Sequence, residues 1–416
     1  MKALISGASI AGPVLAYWLA QHGIDVTVVE RAPALRKTGG HAIDLFRPAM
    51  EISERMGVLP QVMAHATGTT LLDVRRPWAS RPAYIDYVKL AGAMSDRHVE
   101  IMRDDLSEIY YDASRDDAEY LFGDQITAIA DDGRVTFAHG GSRRFDVVVG
   151  ADGLHSGVRQ IVFGDVPERF LGGYLSVVSV PKSFAREGEM TGYYEPNRVA
   201  MVYTADHLDD ARAVFVFRPV TPLAFDHRDV SRQKRQLCDA FTSVSGEVDT
   251  WLAEVERTPA FYFDAITQLE MTTWSKGRVT LVGDAGYCPG PAVGGSTSLA
   301  VYGAYVLAGE LARAKHIFGT DERLREEQTS TDERLREEQI STAFAAYEAI
   351  MMPSVVGARA FAATTAKTIV PGSRWGVDAL VAAGRAISVL PLGMTQALAR
   401  LNRRGVRLYD TMPLPA

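Results

Sequence analysis

The chain has 416 residues, 47% of them hydrophobic and 23% charged, with a net charge of −7. Such a length predicts more than one domain, and the composition excludes a disordered or collagen-like chain. The absence of a basic block argues against a nucleic-acid partner, and the presence of only two cysteines, Cys238 and Cys288, argues against a disulfide framework or a cysteine-rich metal site and for a reducing, cytoplasmic compartment.

Residues 2–6 read as a strand, 11–22 as a helix with Pro13 in its first turn, and 24–30 as a second strand. Strand, glycine-rich turn, helix and strand make one parallel βαβ unit. That unit explains the apolar run to Leu19 better than an export signal does, because glycine, serine and proline break the run. Residues 48–58 predict an amphipathic helix, 99–102 a strand and 104–115 a helix. Residues 118–137 predict antiparallel strands broken at Asp131-Asp132-Gly133, and 145–150 a buried strand. Alternating runs at 174–180, 190–194, 199–204 and 211–217 predict a mostly antiparallel sheet, with helices at 229–242 and 247–256. A parallel-style strand returns at 278–283, followed by a glycine-rich loop and a helix at about 297–314.

Residues 320–330 and 331–341 are a tandem repeat that differs only at Thr329 against Ile340. Each copy holds four acids and two arginines, so the two copies contribute −4 of the net −7. The repeat reads as a duplication in a solvated, helix-compatible segment. Residues 342–416 predict helices. Within them the apolar stretch 378–401 reads as packing on the body or on a second subunit, in a monomer or homodimer. No uninterrupted apolar run of about 18 residues predicts a membrane span.

The fold class expected is α/β. A Rossmann-like nucleotide-binding domain takes residues 1–75, 97–165 and 270–345, and a mostly antiparallel substrate-binding module takes 76–96 and 166–269. Residues 346–416 form a C-terminal helical region.

The first chemical signal is Gly7-Ala8-Ser9-Ile10-Ala11-Gly12, set after a strand and before a helix. Gly7 permits the tight turn, Gly12 a close helix–sheet approach, and the helix start offers free N–H groups to a pyrophosphate. Ser9 replaces the second glycine of the fingerprint and is small enough to keep the approach close. Glu30 ends the second strand, where a carboxylate accepts hydrogen bonds from an adenosine ribose and opposes a 2′-phosphate; Arg31 beside it joins the expected site.

Two further motifs are Asp146-Val-Val-Val-Gly-Ala-Asp152-Gly153-Leu-His-Ser156-Gly-Val158-Arg159 and Gly277-Arg-Val-Thr-Leu-Val-Gly283-Asp284-Ala285, the latter running on to Pro291 and Gly294. With the fingerprint they resemble the class A FAD-dependent aromatic monooxygenases, the para-hydroxybenzoate hydroxylase-like group, and most closely its tetracycline-modifying and antibiotic-tailoring members. The resemblance spans residues 1–318. It implies that Gly7, Ser9, Gly12, Glu30 and Arg31 hold the ADP half of FAD and that Arg103 reaches the flavin side. It further implies that Asp152 serves FAD and NAD(P)H, that Asp284 takes the ribityl chain, and that Pro291, Gly294 and Gly295 line the isoalloxazine. Asp152 equally suits a turn cap, and Arg103 a pair with Asp104 or Asp105. The chain departs from the family at Gly286-Tyr287-Cys288, at Gly294-Gly295-Ser296 and at Gly303, where aspartate is frequent.

By the same resemblance, NADPH or NADH is a transient co-substrate that reduces FAD. The reduced flavin captures O₂, and a C4a-hydroperoxyflavin hydroxylates a small aromatic or polyketide-like substrate. No catalytic side chain is assigned, since the flavin carries the chemistry. Baeyer–Villiger insertion, a non-oxygenating flavin oxidoreductase and a flavin-binding sensor stay open. Candidates for the substrate pocket are Asp44, Arg47, Tyr193, Phe215, Phe217 and Tyr287, with His41 beside them. Asp44 and Arg47 equally suit local pairing, and alternation turns only half of the sheet aromatics inward.

Overall fold

The computed structural model of the chain describes residues 1–35, 39–258, 260–291, 295–319, 330–391, 393–395, 397 and 407–415. The chain opens with β1 (Lys2–Ser6), α1 (Ala11–Gln21), β2 (Asp25–Glu30), β3 (Ala42–Phe46), α2 (Arg47–Arg55) and α3 (Leu59–Ala64). There follow β4 (Leu71–Arg75), β5 (Ala83–Asp86), α4 (Tyr87–Met94), β6 (His98–Met102), α5 (Arg103–Ser114) and β7 (Glu119–Phe122). Next come β8 (Ile126–Ile129), β9 (Arg134–Phe137), β10 (Ser142–Arg144), β11 (Val147–Gly150) and α6 (Gly157–Phe163). The second module holds β12 (Glu168–Pro181), β13 (Glu189–Glu195), β14 (Arg198–Tyr203), β15 (Asp210–Phe217), α7 (Val230–Phe241), α8 (Gly246–Leu252) and β16 (Phe261–Leu269). The chain then returns through β17 (Ser275–Lys276), β18 (Val279–Leu281), α9 (Asp284–Tyr287) and α10 (Ser296–Gly319) to α11 (Ser330–Thr368) and α12 (Arg374–Val389).

One sheet has the order β17-β18-β11-β1-β2-β7. Its central strands are parallel and apolar because both faces are covered: β11 is Val-Val-Val-Gly and is buried throughout. The sequence predicts β7 as part of an antiparallel group, but it pairs parallel with β2, Thr27 opposite Glu119. The predicted turn at Asp131-Asp132-Gly133 does join the antiparallel pair β8 and β9. The connections from β1 run to β2 on one side and on to β11 on the other, so a crevice opens beyond the carboxyl ends of these parallel strands.

The second large sheet has the order β16-β12-β15-β14-β13-β4-β5. It corrects the expected boundary at residue 75: β4 (71–75) is not part of the nucleotide-binding sheet but pairs parallel with β13, Leu71 opposite Glu189. The alternation of a short strand does not say which sheet it joins. One face of this sheet packs on α7 and α8 through Phe215, Phe217, Phe241 and Trp251. The opposite face, with Val177, Val199, Val214 and Val216, meets Met102 and the end of α11. A two-stranded sheet, β3 with β6, lies at this junction.

The second copy of the tandem repeat enters α11, and 320–329 lies outside the described residues. By length and composition α11 is apolar enough to cross a membrane over Arg334–Thr368. Its buried residues Ile340, Phe344, Tyr347, Met351, Val355, Ala358 and Ala362 recur every three or four positions, the pattern of a helix with one face in a protein core. Full burial of each large aliphatic one contributes about 1.5–3 kcal/mol. Residues 407–415 are not helical, against expectation, apart from one 3-10 turn at Tyr409–Thr411; Pro413 and Pro415 follow it and oppose a helix. They run as a strap across α2, α10 and α11.

Candidate functional site

The fingerprint turn is built by contacts that only glycine admits. Gly7 has φ +108, and a Cβ there would lie 2.6 Å from the Ala151 carbonyl oxygen. A Cβ at Gly12 would collide with the Gly7 carbonyl, so α1 starts directly against the turn. Glu30 holds the turn from the next strand. Its Oε2 accepts from the Ala8 amide at 3.0 Å and its Oε1 from the Ala32 amide at 2.8 Å. Ser9 does more than replace a glycine. Its Oγ accepts from Arg103 Nη2 at 3.1 Å, and its carbonyl accepts from Ser107 Oγ at 3.0 Å. The start of α5 is thereby tied to the fingerprint. Asp104 accepts from the Gly40 amide at 2.7 Å and Asp105 pairs with His207 at 2.7 Å, while Arg103 turns to the crevice.

Gly7, Ser9, Glu30, Arg31, Arg103 and Asp152 line one cleft of about 370 Å³, together with His155 and Arg228. Gly12 stands behind the turn, against the sheet. Asp152 caps the start of α6: it accepts from Ser156 Oγ at 2.5 Å and the Val158 amide at 3.1 Å. Burial raises its pKa, and these donors oppose the rise. Arg159 closes the second motif. Its buried guanidinium donates to the Ala285 carbonyl at 2.9 Å and to the Leu154 carbonyl, joining the loop after β11 to α9.

Asp284 opens α9, after Gly283 at φ +68. Burial raises its pKa, while the Arg103 guanidinium lowers it. The Arg103 guanidinium thus lies near enough to act on the Asp284 carboxylate, although the two are far apart in sequence. Gln268 steadies the following loop by donating to the Pro289 carbonyl at 2.8 Å and the Arg359 carbonyl at 2.7 Å. Pro291 lies in a turn, and Gly295 has φ +86. Gly294 lies outside the described residues.

The expected pocket residues need correction. Tyr193, Phe215 and Phe217 lie on the face of the large sheet that packs on α7 and α8, away from the crevice. Tyr193 accepts from Arg75 Nη1 at 2.9 Å and meets Trp251, ring centroids 5.8 Å apart. Strand alternation gives the crevice-side face to their neighbours Tyr194, Met201, Tyr203, Arg212 and Tyr262. Arg212 Nε donates to the Gly40 carbonyl at 2.9 Å, and Tyr203 Oη accepts from the Ala42 amide at 2.6 Å. Tyr287 is fully buried at the end of α9, its ring on Trp274 at 5.1 Å and its hydroxyl accepting from Tyr347 Oη at 3.0 Å. Arg47 is on the outer side of α2, pairing with Glu51 at 2.8 Å and donating to the Asp410 carbonyl at 3.0 Å. Asp44 accepts from His98 Nε2 at 2.6 Å and stands opposite Glu100 across β3 and β6. Glu100 accepts from Tyr87 Oη at 2.8 Å, and burial, then Asp44, raises its pKa. Local pairing thus takes up both Asp44 and Arg47. Among the described residues, no group of three or more His, Cys, Asp or Glu is placed to hold a metal ion.

A family model described as an FAD binding domain matches residues 1–339. The chain is 42% identical over 326 residues to an uncharacterized protein of Mycobacterium tuberculosis, covering 75% of this chain and 85% of that protein. It is 35% identical over 319 residues to a flavin-dependent monooxygenase of Legionella longbeachae, covering 75% of this chain and 80% of the relative. The crystal structure of tetracycline destructase Tet(55) superposes with a TM-score of 0.79 at 31% identity, covering 100% of this chain and 98% of that one.

Proposed function

Because the chain belongs to the class A FAD-dependent monooxygenases, we propose that it hydroxylates a flat, polycyclic aromatic or polyketide-like substrate, with NADPH or NADH as reductant. The observation that carries the reading is the single cleft shared by the fingerprint, Glu30, Arg103 and Asp152. These residues fit FAD. The glycine turn packs the start of α1 directly against the end of β1, which leaves the helix's first N–H groups facing the cleft, and Glu30 sits at the strand end where a ribose is bound. We assign Gly7, Ser9, Gly12, Glu30 and Arg31 to the ADP half, and Arg103, Asp152, Asp284, Pro291 and Gly295 to the remainder. When bound, FAD supplies the redox and oxygen-transfer chemistry.

The chain's own residues bind, orient and exclude water. Arg103, held by Ser9, brings positive charge to the carboxylate of Asp284 inside the crevice. Tyr194, Met201, Tyr203 and Tyr262 give the large sheet an apolar, aromatic face toward the nucleotide-binding domain, suited to a flat ring system. Tetracyclines are the first substrates to test, since the likeness to tetracycline destructases supports that class. The test is to purify the protein, record its visible spectrum, and follow NADPH and NADH oxidation with O₂ uptake across tetracyclines, other aromatic polyketides and phenols. The expected result is bound FAD, pyridine oxidation stimulated by one class and a product heavier by one oxygen. Bound FAD without O₂ uptake for any ligand would overturn the oxygenase assignment in favour of a reductase or sensor.

A further inference from the structure

The C-terminal strap inserts Tyr409 between β3 and the segment that leads into α10. Tyr409 is 3% exposed and stacks on Phe46, with centroids 5.1 Å apart and planes 18° apart. The other end of its ring bears on Gly295, where a Cβ would collide with the Tyr409 hydroxyl. Phe46 is itself fixed to the first turn of α10, its amide donating to Ser298 Oγ at 2.9 Å. Burial, then the Asp284 carboxylate, raises the Tyr409 pKa, so the phenol lies within the field of the crevice acid.

The strap is anchored at two points just beyond this residue. Asp410 accepts from Ser95 Oγ at 2.5 Å, the Asp96 amide at 3.1 Å and Arg407 Nε at 2.9 Å. Further on, Tyr302 of α10 donates to the Pro413 carbonyl at 2.8 Å.

We propose that Tyr409 is a positioning residue for FAD: wedged between Phe46 and Gly295, it fixes Gly295 and the first turn of α10 beside Asp284, and so sets the flavin-facing wall of the crevice from the far end of the chain. The inference rests on the FAD-binding reading above. A ring in this place leaves room for no side chain at 295. It also converts the hydrogen bonds of the strap into a constraint on a backbone segment that has a glycine φ of +86 and the freedom that goes with it.

The test uses the full chain with Tyr409→Ala, Tyr409→Phe and Asp410→Asn, in two readouts. Amide exchange of the apoprotein reports the backbone at 295–299, and a titration with FAD reports affinity and the flavin absorption band. Tyr409→Ala is expected to speed exchange at 295–299 about tenfold, leave β1 and β11 unchanged, and weaken FAD about tenfold with a shifted band. Tyr409→Phe keeps the ring and stays within about threefold of the wild type in both. Asp410→Asn, which loosens the anchor and spares the ring, gives the local exchange change at smaller amplitude; it carries the test if Tyr409→Ala does not fold. Exchange that rises equally in β1 and β11, or an unaltered FAD affinity in Tyr409→Ala, would overturn the proposal. A wild-type chain that takes up no FAD would overturn the flavoprotein reading and this inference together, whereas wild-type binding with an indifferent Tyr409→Ala overturns the inference alone.

Discussion

His41 packs on Tyr262, ring centroids 6.2 Å apart, just before β3. Burial, then the Arg103 guanidinium, lowers its pKa from 6.5 to about 4, and Asp44 pulls the other way. The imidazole is neutral at pH 7, a hydrogen-bonding surface and not a charge. Unfolded, it takes a proton near 6.5; folded, only near 4. Between those values the unfolded chain binds more protons, so this residue's contribution to stability is complete above pH 6.5 and is lost as the pH falls toward 4. With allowance for partial solvent contact the loss is about 2 kcal/mol. His41→Gln should flatten the acid side of the stability profile by that amount, measured by urea unfolding of the apoprotein at several pH values. A mutant whose profile runs parallel to the wild type would show that His41 titrates normally.

At the scale of elements, two departures from the family pattern prove to be one packing solution. Tyr287 in α9 sends its hydroxyl to the place a Cβ at Gly303 in α10 would fill, and Tyr347 of α11 donates to the same hydroxyl. A bulky residue at 287 and a glycine at 303 therefore require each other. Gly303→Ala should destabilise the protein by about 1–3 kcal/mol through overpacking. Tyr287→Phe removes the colliding oxygen, so the double variant should be less destabilised than the sum of the singles, with a coupling of about 1 kcal/mol or more. Denaturant melts of the four proteins measure this, and simple additivity would contradict the shared contact. Arg159 acts at the same scale: one buried guanidinium ties the loop after β11, which lines the cleft, to α9.

For the whole molecule, the crevice is the place where distant parts of the chain are brought into register. Fingerprint, Glu30, Arg103 and Asp152 meet only in the folded state. FAD that binds the native chain and not the unfolded one must stabilise it: at a free concentration of one hundred times Kd the gain is about 2.7 kcal/mol. For a protein of this size that is a rise in Tm of about 2–4 °C, lost when flavin is stripped and restored by adding it back. Glu30→Ala, which frees the Ala8 amide and removes the expected ribose acceptor, should shrink the rise at equal FAD concentration. Thermal melts with and without FAD check both, and an unaltered Tm with saturating flavin would argue against a preformed site.

The parts of this protein legible in sequence are those whose chemistry is local. A glycine turn between strand and helix, an acid at the end of β2 and an aspartate at the end of a buried strand each have their meaning from a few neighbouring residues, and the fold class and cofactor follow from them. The substrate face was not legible in that way. The large sheet is covered on both sides, by α7 and α8 on one and by α11 and the nucleotide-binding domain on the other, so both faces are apolar and the alternation that would separate Tyr193 from Tyr194, or Phe215 from Val214, carries no polar mark. The roles of Tyr287, Arg159 and Tyr409 were equally hidden, since each depends on a partner tens to hundreds of residues away. Only tertiary packing decides which side chains meet across such distances, because burial depends on what covers a face and not on the residues that compose it.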